Sequence, residues 1–278
     1  MSEKSLSELI NESIASGSSA LPIFPGAVNE LRNALKDENR SLDSIAKQLS
    51  MDASLASQVL RVANSSFYAG LSKINTVKEA IVRLGLARVV QIATLVMQKG
   101  LFTSKHAASN RMMVKLWQHS VAVALGSEWL AKRLSYHDLA EEAFMAGLFH
   151  DVGELLLLRC IDEIRNHEPN MNLPDELVEE ILLQQHEEKG AWLLQTWNLP
   201  DIYCSIAGSH HQPVTDETTT VGLLVRVADM VAHKLGISLF PQTEILVSST
   251  EEAARLGLTE IALAELEIAL EDSLALSS

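Results

Sequence analysis

The chain has 278 residues, 22 Lys+Arg against 36 Asp+Glu, a net charge of −14, 47% hydrophobic and 21% charged residues. Such a balance supports a sizeable core, excludes wholesale disorder, and disfavours a protein that coats nucleic acid through its overall field, since a negative surface repels phosphate backbones at long range. Nine His beside only two Cys in an acidic chain is the feature left unexplained by composition.

The start, MSEKSLSELINESIASG, is polar and amphipathic and lacks the basic start and apolar run of a signal peptide. It is read as a short helix over residues 1–20. Cys160 and Cys204 are then expected as free thiols in a reducing compartment. No run of eighteen apolar residues occurs, so a cytoplasmic protein without a membrane span is expected. Apolar residues recur mostly at three and four, which predicts an all-α chain. LPIFPGA (21–27) separates the first helix from the next helical region. Ser41 precedes the helical pattern LDSIAKQL, Asp52 is placed to cap a helix beginning at Ala53, NSSFYAG (64–70) closes it, and Asn75 or Thr76 opens another. Residues 28–100 are thus expected to form a compact multi-helix bundle. FTSKHAASN (102–110) is the best internal boundary, giving an N-terminal part at 21–105, a second bundle at 106–240 and a helical tail at 241–278.

Longer helices come after this boundary. Met112, Leu116, His119, Val123, Gly126 and Leu130 share a stripe, with His119 in its middle. Leu139, Ala143, Ala146 and His150 share another, with Asp151 next and Gly153 ending the run. A helix opened by Pro174 aligns Leu182, His186, Gly190, Leu193 and Trp197. The helix after Pro200 ends in His210-His211, and Val221, Val225 and Asp229 line up on the one after that.

Each of these has an ordinary structural explanation. His119 or His186 alone is more often a hydrogen-bonded core histidine, Asp151 a helix cap, His210-His211 a helix-end decoration, and Asp229 a partner of Arg226. Five helices that each turn a His or Asp inward are costly unless those groups meet. Neutral imidazole and carboxylate are ligands for divalent iron, manganese or zinc. The seven candidates His119, His150, Asp151, His186, His210, His211 and Asp229 exceed one tetrahedral site and suit two ions sharing Asp151, the arrangement used for in-line attack on phosphoryl groups. Asp151 is thereby the candidate catalytic residue as well as the bridge. Lys115, one turn before His119, and Lys189, one turn after His186, are the nearest cations for a substrate phosphate. His106, His137, His167 and His233 stand in polar context and are left to solvent.

The order His119, His150-Asp151, His186, His210-His211, Asp229 resembles the ligand order of the HD phosphohydrolase superfamily, especially its HD-GYP cyclic-dinucleotide phosphodiesterases. LPIFPGAVNEL, IAKQLSMDASLASQVLRVANSSFYAG, INTVKEAIVRLGLARVVQIA, WQHSVAVA, EEAFMAGLFHDVGELLL and HEEKGAWLLQTWNLPDIYCSIAGSHHQP resemble the HDOD domain, a bacterial signalling module, over roughly residues 20–235. The resemblance implies an HD-like helical bundle with an N-terminal helical subdomain, acting in signal transduction through a protein partner or a nucleotide or other phosphorylated ligand. HDOD domains commonly lack part of the metal site, whereas this chain keeps every ligand type. It departs from HD-GYP enzymes at Glu154, where a lysine is usual, at Lys115, where an acidic residue is usual, and at QPVTDETTTV, which replaces the GYP loop. A regulatory metal-binding module is the first reading and a metal-dependent phosphohydrolase the second.

Overall fold

A computed structural model describes residues 4–16, 22, 42–51, 53–64, 73–169 and 171–277. Among them there is no strand, and the all-α expectation holds. The chain separates into two compact units, residues 23–101 and residues 1–22 with 102–277. LPIFPGA apart from Pro22, the caps expected at Ser41 and Asp52, and most of NSSFYAG lie outside the described residues.

The smaller unit contains α2 (Leu42–Ser50), α3 (Ala53–Ala63), α4 (Val77–Leu84) and α5 (Leu86–Lys99). Ile45, Leu49, Val59, Ile81, Val89 and Ile92 are buried in its core. Thr76 is the cap of α4: its hydroxyl accepts from the Glu79 amide at 3.1 Å. Two residues that carry the HDOD resemblance have local structural tasks. Asn64 donates to the Leu60 and Ile74 carbonyls and accepts from the Ile74 amide, all at 2.8 Å, tying the end of α3 to the segment before α4. Gly85, at φ +84°, makes the break between α4 and α5, a conformation that a residue with a Cβ adopts only under strain.

The larger unit contains α1 (Leu6–Ala15) and α6 (Ala107–Arg133), α7 (Ala140–Phe149), α8 (Val152–His167), α9 (Asp175–Thr196), α10 (Asp201–Ala207), α11 (Thr220–Lys234), α12 (Glu251–Arg255) and α13 (Glu260–Ser277). Its centre is α6, packed against α7, α11 and α13. The stripe read from the sequence is buried from Leu116 to Leu130, and the helix is enclosed all round over residues 119–128, as expected for a helix surrounded by others. The acidic tail helix α13 buries Leu266 and Leu270 completely. Among the described residues no helix is long and apolar enough to cross a membrane.

One expectation about local structure is corrected. Gly153 does not end the run that contains His150. The helix breaks earlier, between Phe149 and Val152, and Gly153 lies in the first turn of α8. Its lack of a side chain serves packing: a Cβ there would lie 2.0 Å from the His186 carbonyl oxygen and 2.6 Å from the Gly190 nitrogen of α9. The close approach of α8 and α9 holds His186 near Asp151.

Candidate metal centre

The elements of the larger unit bring the chain's inward-facing histidines together. His119 comes from mid-α6, His150 from the C-terminal end of α7, Asp151 from the N-terminus of α8, His186 from α9, His210 and His211 from the turn after α10, and Asp229 from α11. His119, His150, Asp151, His186, His210 and Asp229 are buried, and His211 keeps an exposed edge. Ligand atoms lie within 4.8 Å of one another in three overlapping groups: His119, His150 and Asp151; Asp151, His186, His210 and His211; and His119, Asp229 and His233.

The separations are short. His119 Nε2 lies 3.1 Å from His150 Nε2, 3.2 Å from Asp151 Oδ2 and 3.1 Å from Asp229 Oδ1. The other carboxylate oxygen of Asp151 is 3.1 Å from His210 Nε2 and 3.9 Å from His186 Nε2, so the two oxygens of Asp151 face different histidine groups. Asp151 occupies a cap position but its side chain makes no cap bond, and Asp229 does not pair with Arg226; the simplest structural explanations of these two residues do not describe them.

The test of fit to a metal lies in the hydrogens. His119 Nδ1 is 2.7 Å from Ile237 O, His150 Nδ1 is 2.8 Å from Gly147 O, His186 Nδ1 is 2.8 Å from Leu182 O, and His210 Nδ1 is 3.1 Å from Ala207 O. A carbonyl only accepts, so each Nδ1 carries a hydrogen, and whenever such a ring is neutral its Nε2 is the lone pair turned inward. These lone pairs converge on one another and on carboxylate oxygens. His186 Nε2 and Asp229 Oδ1 are buried without any hydrogen-bond partner. One proton can sit between His119 and His150, but the set as a whole needs cations. Histidines that donate their far N–H to a carbonyl while aiming Nε2 inward have the arrangement of metal ligands.

The electrostatics agree. Burial works to raise the Asp151 and Asp229 carboxyls, but neighbouring imidazoles, His150 foremost for Asp151 and His119 for Asp229, hold both well below the usual range. Burial alone would lower His150, and the charges of Asp151 and then Asp229 push it up to about 9. His211 is driven down to about 4, first by desolvation and then by His210. Glu154, buried in the first turn of α8, is raised well above its ordinary value by desolvation and then by Asp151.

Two side chains fix the double-histidine turn. Arg226 of α11 donates from Nη1 to Gln212 O and from Nη2 to Ser209 O, both at 2.5 Å, bracketing His210 and His211. Glu187, next to His186, accepts from the His211 amide at 2.9 Å and from Gln212 Nε2 at 2.7 Å. Sequence reasoning missed Glu187, whose role depends on a turn 24 residues away. It also left His233 to solvent. That assignment is corrected: His233 Nε2 is 3.3 Å from Asp229 Oδ1, with only 12% of the side chain exposed, because the i,i+4 spacing on α11 places the two on one face. Of the two candidate phosphate cations, Lys189 is directed to Asn11 Oδ1 and Glu188 Oε1, each at 3.0 Å. Lys115 is exposed beside a cavity of about 210 Å³ that it lines with Arg111, Met112, Leu182 and Phe240.

The HDOD domain profile matches residues 21–213. An uncharacterized protein of Treponema pallidum (strain Nichols) is 24% identical over 204 residues, covering 72% of this chain and 39% of that protein, so the chain spans about two-fifths of its curated relative. Among solved structures, an HDOD domain protein of unknown function from Geobacter sulfurreducens is 22% identical with TM-score 0.77, covering 97% of this chain and 96% of its own. A candidate metal-dependent phosphohydrolase from Shewanella amazonensis SB2B is 18% identical with TM-score 0.72, covering 97% and 99%. A candidate signal-transduction protein from Marinobacter aquaeolei VT8 is 20% identical with TM-score 0.68, covering 98% and 64%. At these identities the structures show a shared fold.

Proposed function

The chain belongs to the HDOD domain family, and from that premise we propose that it is a regulatory signalling module whose larger unit binds divalent cations at His119, His150, Asp151, His186, His210, His211 and Asp229. The observation that carries this reading is the set of buried imidazoles whose Nδ1 hydrogens are committed to carbonyls while their Nε2 atoms converge on two carboxylates. Two ions suit the geometry, because the two oxygens of Asp151 face separate groups of imidazoles. The donor set of nitrogen and oxygen without sulfur favours iron or manganese, with zinc also matched.

When bound, such ions supply positive charge able to polarise a phosphoryl oxygen and acidify water. The chain's own residues do the positioning. Carbonyls of Ile237, Gly147, Leu182 and Ala207 hold the rings in one tautomer. Arg226 and Glu187 hold the turn that presents His210 and His211, and the exposed edge of His211 leaves the centre open to a small ligand. Binding of a nucleotide or other phosphorylated ligand there, relayed through the helices to a protein partner, is the signalling act this arrangement supports.

The same openness favours a second reading, a metal-dependent phosphohydrolase, with Asp151 at the reacting centre and Lys115 as a cation for substrate phosphate. Elemental analysis of protein purified without chelator tests the common premise, and stoichiometric iron, manganese or zinc is expected. Absence of metal would remove both readings. Turnover of nucleotide and phosphodiester substrates, lost in Asp151→Asn, would favour the enzyme; metal without turnover would favour the regulator.

A further inference from the structure

Resting on the reading that the cluster holds metal, we infer that His233 is an additional metal ligand, acting with His119 and Asp229 on the same cation. The geometry around it repeats the pattern of the other ligands. His233 Nδ1 lies 2.7 Å from Phe240 O, so it carries the hydrogen and leaves a bare Nε2. The carbonyl that fixes His119 belongs to Ile237, three residues earlier in the same loop. That loop leaves α11 through Gly236 at φ +76°, and the Gly236 and Gln242 amides both return to the His233 carbonyl. One short segment therefore sets the tautomer of two imidazoles from two different helices.

Both then aim at one atom. Asp229 Oδ1 is 3.1 Å from His119 Nε2 and 3.3 Å from His233 Nε2, and it is buried with no hydrogen-bond partner. The two rings meet edge to face at 5.3 Å. With both rings neutral, as metal ligation requires, these atoms are three acceptors in contact, and they repel unless a cation lies between them. Donors held about 2.0–2.2 Å from one ion stand roughly 3.0–3.5 Å from each other, which matches both separations. Ser238 Oγ, 3.2 Å from His233 Nδ1, is the other polar group at this ring and lies on the side away from Asp229. A second reading of His233, as a donor that orients Asp229, requires a hydrogen on Nε2 in addition to the one Nδ1 gives to the Phe240 carbonyl, and a ring so charged would leave metal affinity and the cobalt spectrum unchanged on substitution.

The test uses the full chain stripped with chelator and reloaded with Co(II), comparing wild type, His233→Ala, His233→Gln and, as control, His106→Ala. Metal content, Co(II) affinity and the visible absorption of the bound cobalt are measured, with circular dichroism checking the fold. Both His233 variants are expected to lose at least about tenfold in affinity for the ion and to change the cobalt spectrum, while His106→Ala matches wild type. The Gln variant keeps a polar side chain of similar size and carries the comparison should the Ala variant fold poorly. Wild-type stoichiometry, affinity and spectrum in folded His233 variants would overturn this inference and leave the proposed metal site intact. Failure of wild type itself to take up Co(II) would overturn both.

Discussion

Gly153→Ala is the substitution that most directly tests the link between helix packing and the metal centre. The added methyl would lie 2.0 Å from the His186 carbonyl oxygen, 2.8 Å from its carbonyl carbon and 2.6 Å from the Gly190 nitrogen, all backbone atoms that no rotamer change can remove. Ordinary van der Waals contact requires α8 and α9 to separate by more than about 1 Å. Overpacking of this kind costs about 1–3 kcal/mol, and at about 2–4 °C per kcal/mol for a unit of this size Tm should fall by roughly 2–12 °C. The same movement draws His186 Nε2, already 3.9 Å from Asp151 Oδ1, out of the range in which both reach one ion, so metal affinity should fall at least about tenfold. Gly190→Ala is the matched control. Its methyl would meet Gly153 N at 3.3 Å and Ala207 Cβ at 3.6 Å, and the gain in helix propensity of up to about 1 kcal/mol offsets that crowding. Thermal melts and metal titrations of the two variants decide the matter. Wild-type melting and loading in Gly153→Ala, or an equal loss in Gly190→Ala, would refute the reasoning.

Three further outcomes are expected. His186→Ala should lower the Tm of the metal-loaded protein more than His106→Ala, because binding to the folded state adds to its stability; equal shifts in the two melts would contradict this. His150 has a folded value near 9 in the metal-free protein against about 6.5 unfolded, so the stability it contributes is complete below pH 6.5 and is lost as pH rises through 9. Over that interval metal-free protein should melt earlier, while metal affinity, measured by competition with a chelator, should rise by about tenfold per pH unit for each proton displaced; a flat affinity profile would count against a protonated metal-free centre. In the smaller unit, Asn64→Ala removes three hydrogen bonds at the end of α3 and should cost about 2 kcal/mol, seen as faster hydrogen exchange in α3 and α4; unchanged exchange would show that this asparagine is not what joins them.

Much of the molecule is legible from local pattern. The period of three and four marks the helices, Pro174, Pro200 and Thr76 mark their starts, and the inward placement of His119, His150, His186 and Asp229 follows from which residues share a stripe with Leu, Val and Ala. An imidazole on an apolar stripe must find a partner when the stripe is buried, so a shared polar site follows from the sequence once five helices each contribute. What periodicity does not contain is the distance between helices. Gly153 looks like a stop signal in one dimension, and only the nearness of α9 reveals it as the point where two backbones touch. His233 stands among polar neighbours along the chain, yet the return of the loop to Phe240 supplies a carbonyl that turns its ring toward Asp229. Arg226 and Glu187 read as ordinary charges and become the clamps of the His210-His211 turn because that turn is folded between α9 and α11. Burial is written in composition and period, whereas hydrogen-bond direction is set by which carbonyl stands behind each imidazole. That is a property of tertiary contacts, and it turns a set of buried histidines into a convergent set of metal donors.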